Sequence, residues 1–266
     1  QGYEAIAICF LFSFKNPAHE LAASAYLSER LPNIAISLSH KVSPEWREFE
    51  RTSTTVMDSY LAPVVRKYLA TLVEDLKDQL PPDQGLHVME SNGGVMSASS
   101  ASRTPLQTLL SGPVGGAIGG RALAAATGRG NLICVDMGGT SFDASLIIDG
   151  LPSTSNEAKF EGLPVQMSVV DIHVIGAGGG SIAWVEAGAM RVGPQSAGSK
   201  PGPVCYGLGG TEPTVSDANL VLGRLDGASF SGGGLTLDRA AAASALARMG
   251  EQFDMSAEAM AQGVVD

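Results

Sequence analysis

The sequence predicts an α/β protein, and three observations carry that expectation. Apolar strands alternate with capped helices through the first third of the chain. Apolar residues recur at every fourth position over residues 53–80. In residues 133–148, two apolar strands flank a turn that holds an aspartate, two glycines and a threonine. With 266 residues, 44% hydrophobic and 17% charged, the chain has an ordinary globular composition and suffices for one large domain or two small ones.

Residues 4–12 read as a strand. Asn16 and Pro17 then supply a cap and a first-turn proline for a helix carrying Leu21, Ala25 and Leu31. Residues 34–38 read as a second strand, and Ser43-Pro44-Glu45 opens another helix in the same style. Over 53–80, Val56, Tyr60, Val64, Tyr68, Leu72, Leu76 and Leu80 form one row. Met57, Leu61, Val65, Leu69 and Val73 fill the adjacent row, so a long amphipathic helix is expected to contribute these faces to a core. Pro63 should kink or divide this helix, and Pro81-Pro82 should end it.

Residues 86–90 form a short strand leading to Ser91-Asn92-Gly93-Gly94, followed by a polar loop over 97–104. Residues 111–126 are a glycine-loaded helix. A helix interior loses about 1 kcal/mol per Gly relative to Ala. Gly115, Gly116, Gly119 and Gly120 therefore need a reason, and close backbone approach to another element is the expected one. After 133–148, Asp149-Gly150 turns the chain into a further strand. Residues 169–175 form an apolar strand, and Ala187-Gly188 is expected to close a hairpin. Residues 193–213 form an ordered Gly/Pro-rich loop, and helices at about 215–224, 238–249 and 256–265 complete the chain. Two parts are expected, 1–110 with the long helix and 111–266 with the glycine-rich turns and closing helices. The chain begins Gln-Gly-Tyr and ends in a helical stretch, which reads as a portion of a longer polypeptide, incomplete at both ends.

A net charge of −10 and the lack of a basic stripe argue against nucleic-acid binding. They do not exclude a nucleotide, because backbone amides and a metal ion can supply a local positive field. No apolar run approaches the roughly 20 residues that span a bilayer, so no membrane association is expected. Cys9, Cys134 and Cys205 form no disulfide framework and suit a reducing, cytoplasmic setting. The four histidines show no ligand spacing for zinc.

Three apparent motifs fail on inspection. Gly178-x-Gly180-x-x-Ala183 resembles a dinucleotide fingerprint, but the residues after it alternate like a hairpin and no strand-ending acid follows. Residues 193–200 nearly spell a P-loop, but Ser199 and Lys200 are in the wrong order and Pro201 blocks the helix that must follow. No G-x-S-x-G elbow is present.

The motif that survives is D-x-G-G-T-x-x-D at 136–143. Its glycines let successive amides converge on an anion, and Thr140 adds a hydroxyl donor. A strand-end aspartate such as Asp136 can orient hydrated Mg²⁺ or an attacking water. The same eight residues could equally form a glycine-rich hairpin with an Asx-type turn.

Context adds to the motif. A small-residue helix followed by strand, D-x-G-G-T-x-x-D and strand resembles the second phosphate segment of actin-like ATPases. More narrowly, the blocks ERTSTTVMDSYLAPVVRKYL, SNGGVMS, LLSGPVGGAIGG, VDMGGTSFD, DIHVIGAGGGSIAW and GPQSAGSKPGPVCYGLGGTEPTVSDANLVLGRL resemble the hydantoinase A/5-oxoprolinase family along nearly the whole chain. That resemblance implies actin-like ATPase (ribonuclease H-like) lobes and an ATP-dependent hydrolase. ATP would phosphorylate a cyclic amide for ring opening, or a ketone enol oxygen for carboxylation, and a large partner subunit of the hydantoinase B type would assist.

By this likeness Asp136 would be catalytic and would hold Mg²⁺, while Gly138, Gly139 and Thr140 would face the phosphates with Asp143 in support. Asp171 and His173 would be catalytic. Ser111, Gly112, Gly178, Gly179, Gly180 and Ser181 would line the nucleotide site. Cys205 matches the family pattern but reads as packing. The family's earlier D-x-G-G-T loop and its G-G-x-G-P adenosine segment do not occur here, so this chain alone is expected to be folded and catalytically silent. A non-catalytic ATP-gated binding module is the alternative of a different class.

Overall fold

In the computed structural model, which describes residues 2–81, 85–160, 162–230 and 234–266, the chain is mixed α/β. It divides into two units. The first comprises residues 1–134 and 145–172, the second residues 135–144 and 173–266. The boundary drawn at residue 110 falls inside the first unit.

In the first unit, β1 (Ala5–Ile8) lies parallel to β2 (Ala35–Leu38), and α1 (Ala18–Arg30) connects them. Asn16 accepts the Ala18 amide at 3.1 Å through its side chain in the turn before the helix, but the N-cap position itself falls on Pro17, one residue later than expected. The helix expected from Ser43 is not there. After the single turn α2 (Ser39–Val42), the next helix, α3 (Glu48–Leu76), starts only at Glu48, with Arg47 before it in the left-handed region. The Ser43 hydroxyl is buried and donates to Gln166 Oε1 at 2.9 Å, so it does not cap. Pro63 lies within α3 without dividing it. Pro81 follows the helix, and Pro82 lies outside the described residues.

Of the two apolar rows on α3, the Val56-Tyr60-Val64-Tyr68 row faces outward, while Leu69 of the second row is buried with Val65 packed beside it and the rest of the buried face is largely polar. Tyr60 is 80% exposed and Val64 71%, with Val56 and Tyr68 also exposed, whereas Arg51, Thr54, Thr55, Asp58, Ser59, Ala62 and Leu69 are buried. Thr55 and Ser59 are satisfied within the helix by the Arg51 and Val56 carbonyls, while Asp58, Thr54 and Arg51 reach other elements, although Arg51 Nε has no partner among the described residues. Asp58 accepts from the Ser37 hydroxyl at 2.6 Å and the Leu106 amide at 3.1 Å, and burial pushes its carboxyl above the usual range. Thr54 accepts the Gln166 amide at 2.9 Å, and Arg51 donates to the carbonyls of Glu45 and Phe10, each at 2.9 Å. Satisfied polar groups of this kind can replace an apolar face.

Glu20 is the second buried acid of this unit, with no exposed surface. Its carboxylate accepts from the Phe10 amide at 2.9 Å, the Ser39 hydroxyl at 2.6 Å and the His40 amide at 3.1 Å, and faces His40 Nδ1 at 2.7 Å. Burial pushes the carboxyl up, but these hydrogen bonds outweigh it and hold the pKa at about 2, below the ordinary 4.5. A depressed folded-state pKa gives stability that is complete above pH 4.5 and is lost as pH falls through about 2. At about 1.4 kcal/mol per unit this amounts to about 3 kcal/mol. Glu20→Gln should therefore lose less stability than wild type between those pH values in denaturant titrations. Parallel losses in the two proteins would refute this role for Glu20.

β3 (His87–Met89) and β4 (Val95–Ser97) form a hairpin across the Ser91-Asn92-Gly93-Gly94 turn. The polar stretch after it is not all loop, because Ser97 accepts the Ser100 amide at 3.2 Å and caps the short α4 (Ala98–Ala101). α5 (Ser111–Thr127) matches the expected glycine-loaded helix. Close approach explains Gly120 alone, where a Cβ would collide with Cys134 Sγ and lie 3.5 Å from Ile147; at Gly115, Gly116 and Gly119 nothing lies within 4 Å.

β5 (Leu132–Met137) and β6 (Phe142–Ile148) are the two strands of the central motif. The apolar residues of β5 do not all face a core, since Ile133 is 73% exposed and Val135 61% and β5 ends its sheet, whereas β6 buries Ile147. Asp149 and Gly150, with φ of 50° and 79°, turn β6 into β7 (Leu151–Pro152). β8 (Thr154–Phe160) pairs antiparallel with β9 (Leu163–Val170), and β10 (Ile172–Ile175) joins β6 in the order β10-β6-β5.

In the second unit, β11 (Ser181–Glu186) and β12 (Ala189–Ser196) form the hairpin expected at Ala187-Gly188, where φ is 50° and 79°. The closing helices α6 (Val215–Val221), α7 (Arg239–Gly250) and α8 (Ala257–Val265) pack around Ala218, Leu220, Leu246, Met260 and Val264, the main core of this unit. Among the described residues, no helix is long and apolar enough to cross a membrane.

Candidate phosphate-binding site

Two glycine-rich segments that the sequence presents 40 positions apart meet in the second unit. The turn between β5 and β6 carries Gly138, Gly139 and Thr140; the turn before β11 carries Gly178, Gly179 and Gly180. The Gly179 amide donates to the Gly138 carbonyl at 2.9 Å, and the Gly180 amide donates to the Gly139 carbonyl at 2.7 Å. The second turn is closed by Ser181, whose hydroxyl accepts the Gly178 amide at 2.9 Å and whose own amide donates to the Gly178 carbonyl at 3.0 Å.

Close approach explains these glycines. A Cβ on Gly178 would lie 2.6 Å from Thr140 N and 2.7 Å from the Gly139 carbonyl carbon. One on Gly179 would lie 2.7 Å from Ser216 Oγ, and one on Gly180 would lie 2.8 Å from both Gly139 O and Ser196 Oγ. Real Cβ contacts are not that short, so only glycine brings the backbones together.

The same turn ties in two more elements. The Ser216 amide in the first turn of α6 donates to the Gly179 carbonyl at 2.7 Å, and the Ala197 amide donates to the Gly180 carbonyl at 2.8 Å. α6 is anchored in turn by a capping box of Thr214 and Asp217. The fully buried Asp217 carboxylate accepts the amides of Cys205 at 2.7 Å, Thr214 at 2.8 Å and Val204 at 3.2 Å, as well as the Thr214 hydroxyl at 2.9 Å. Burial and the neighbouring Asp217 charge push the Cys205 thiol far above its usual range, and the fully buried side chain packs in the core of this unit, in line with its sequence context.

This scaffold fixes the polarity of the 136–140 turn. In a trans peptide the C=O and N–H point in opposite directions. Because the Gly138 and Gly139 carbonyls are turned onto the second glycine loop, the amides of Gly139 and Thr140 are turned away from it. Neither amide donates a hydrogen bond among the described residues. A Cβ on Gly139 would meet nothing within 4 Å, and Asp136 and Thr140 are exposed beside it. Successive free amides beside open space are the chemistry that holds an anion.

Asp143 lies at the base of the turn. Its Oδ2 is 3.4 Å from the Ser141 hydroxyl, and its buried Oδ1 has no hydrogen-bond partner among the described residues. Such an orphaned oxygen suits a donor or hydrated cation that arrives with a ligand. The residues present therefore fit a phosphate group accompanied by Mg²⁺. Among the described residues, no three His, Cys, Asp or Glu side chains are grouped to hold a metal by themselves.

The structure gathers Asp136, Gly138, Gly139, Thr140, Asp143, Gly178, Gly179, Gly180 and Ser181 in one unit. His173 is also in the second unit, exposed on β10. Asp171 is exposed in the first unit, its amide bonded to the Ser153 carbonyl at 2.8 Å. Ser111 and Gly112 open α5, also in the first unit. Ser196, Ser216 and Asp217 were not singled out from sequence. For Asp217 a signal existed in the Thr214-x-x-Asp217 spacing ahead of a helix; Ser196 and Ser216 meet the glycine loop only through the fold.

The model of the hydantoinase/oxoprolinase family matches residues 51–266. An uncharacterised protein of Methanocaldococcus jannaschii is 40% identical over the whole chain, which covers 41% of that relative. The caprolactamase subunit alpha of Pseudomonas jessenii is 39% identical, again over the whole chain and 38% of its own length. Among solved structures, nucleotide-free acetone carboxylase, an ATP-dependent enzyme, superposes with a TM-score of 0.83 at 31% identity, over 98% of this chain and 38% of its own. The chain thus spans about two fifths of the length of these relatives. With the family model matching well over half its residues, the chain belongs to the hydantoinase/oxoprolinase family.

Proposed function

We propose that this chain is part of an ATP-dependent hydantoinase/oxoprolinase-type subunit with actin-like ATPase lobes, which activates a cyclic amide by phosphorylation for ring-opening hydrolysis. The observation that carries this reading is the pair of amides at Gly139 and Thr140, which donate no hydrogen bond among the described residues and point opposite to the Gly138 and Gly139 carbonyls bonded to the second glycine turn, next to the exposed Asp136. ATP would supply the phosphoryl group that makes the amide oxygen a leaving group. The Gly139 and Thr140 amides and the Thr140 hydroxyl would bind phosphate oxygens. Asp136 would orient Mg²⁺ through its waters, and the free oxygen of Asp143 would brace that shell. Positioning of this kind is what phosphoryl transfer chiefly requires. His173 and the 178–181 turn complete the proposed site within the second unit. A large partner subunit belongs to the reading, supported by the Pseudomonas jessenii relative being one subunit of its enzyme.

The likeness to acetone carboxylase favours a second reading within the same family, a ketone carboxylase subunit. A substrate panel decides between them. With the full-length gene product and its partner subunit, ADP release is measured with hydantoin, 5-oxoproline and caprolactam, and with acetophenone plus bicarbonate. The primary reading expects ADP release coupled to ring opening of a cyclic amide. Turnover only with ketone and bicarbonate would establish the second reading, and MgATP left unhydrolysed with every substrate would defeat both.

A further inference from the structure

The turn after β12 is the part of this site with no role so far. Its sequence fails as a P-loop, yet the fold brings it to the phosphate turn by another route. The Ser196 hydroxyl lies 3.5 Å from the Gly139 carbonyl oxygen and accepts the Gly198 amide at 3.2 Å. Ala197 is bonded to Gly180, and the Gly202 amide returns to the Ala197 carbonyl at 3.2 Å, closing a tight turn whose exposed residues include Ser199 and Lys200.

Charge is what the site otherwise lacks. The chain carries a net charge of −10, and Asp136 and Asp143 both stand on the phosphate turn. Two backbone amides offer partial charges only, against the several full negative charges of a triphosphate. The other cations of this unit are committed or sit elsewhere. Arg191 pairs with Glu186 at 3.5 Å, Arg224 reaches Gln262 at 3.4 Å, Arg239 donates to the Val221 carbonyl at 2.8 Å, and Arg248 is on α7. Among the described residues Lys200 forms no ion pair, and of the cations of this unit named here it alone is carried by a loop hydrogen-bonded to both glycine turns.

We propose that the turn at residues 196–200 is a third wall of the phosphate site, in which Ser196 positions the turn against Gly139 and Lys200 supplies the countercharge for a polyphosphate. This rests on the reading of residues 136–140 as a phosphate loop. A flexible lysine stem delivers a compact charge to a phosphate without the fork geometry that an arginine needs.

The test is equilibrium binding of MgATP and of inorganic tripolyphosphate to the full-length gene product, by calorimetry at two salt concentrations. Lys200→Ala is expected to weaken both on the order of tenfold and to flatten the salt dependence. Lys200→Arg should keep most of the affinity, and the melting temperature should not move, since the side chain is exposed. Wild-type affinity and an unchanged salt slope in Lys200→Ala would overturn this inference alone. If the wild-type protein bound neither ligand, the phosphate-loop reading would fail with it.

Discussion

Gly178→Ala is expected to separate the two glycine turns and disable the site. The added methyl would stand 2.6 Å from Thr140 N and 2.7 Å from the Gly139 carbonyl, and all the atoms it meets there are backbone. No side chain can rotate out of its way, so one turn must shift. Overpacking of this kind costs about 1–3 kcal/mol, and a shift near 1 Å in a positioning loop costs about 10²-fold in rate. Gly139→Ala is the informative contrast, because a methyl there meets nothing within 4 Å. It should leave the melting temperature unchanged yet weaken nucleotide binding, since the methyl would occupy the space assigned to phosphate. Melting curves and ATPase rates on both variants check this. A Gly178→Ala protein with wild-type stability and turnover would show that the two turns do not pack as described.

Asp217→Ala is expected to be the most destabilising single change in the second unit. The carboxylate has no exposed surface and accepts from three amides and one hydroxyl, which link the Val204-Cys205 turn to the start of α6. Removing it strands four buried donors, and breaking a buried charged network costs about 3–5 kcal/mol. Asp217→Asn should recover little, because its NH₂ would face donors where an oxygen now accepts. The denaturant midpoint should fall sharply in both variants, with Asp217→Ala the worse. A loss below about 1 kcal/mol in Asp217→Ala would mean that water or other acceptors replace the carboxylate readily.

What could be read from the sequence follows from where the determining contacts lie. The turns at Asp149-Gly150 and Ala187-Gly188 are chosen by local backbone conformation, and α5 and the closing helices by local pattern, so all were legible. The inward face of α3 was not. Its buried residues are Arg51, Thr54, Thr55 and Asp58, made tolerable by Phe10, Ser37, Leu106 and Gln166, partners up to 112 positions away. Periodicity of apolar residues cannot register such partners, so it pointed to Val56, Tyr60 and Val64, which are exposed. Ser43 was misread for the same reason, because its hydroxyl answers to Gln166 and not to the following helix. The D-x-G-G-T and G-A-G-G-G-S segments were each visible alone. Their union in one site was implied only by the family resemblance and not by the residue pattern, since it is made by backbone hydrogen bonds that carry no side-chain signature.

The most direct measurement of the central claim is steady-state ATP hydrolysis by the full-length gene product and its partner subunit, comparing wild type with Asp136→Asn. The substitution keeps the shape of an exposed side chain and removes its charge, so folding should be unaffected, as circular dichroism and melting would confirm. If residues 136–140 hold the phosphates and their Mg²⁺, turnover should fall by at least about 10²-fold, the scale on which a misplaced metal or water acts. Near wild-type hydrolysis by a folded Asp136→Asn protein would contradict the account and return the D-x-G-G-T turn to a glycine-rich hairpin.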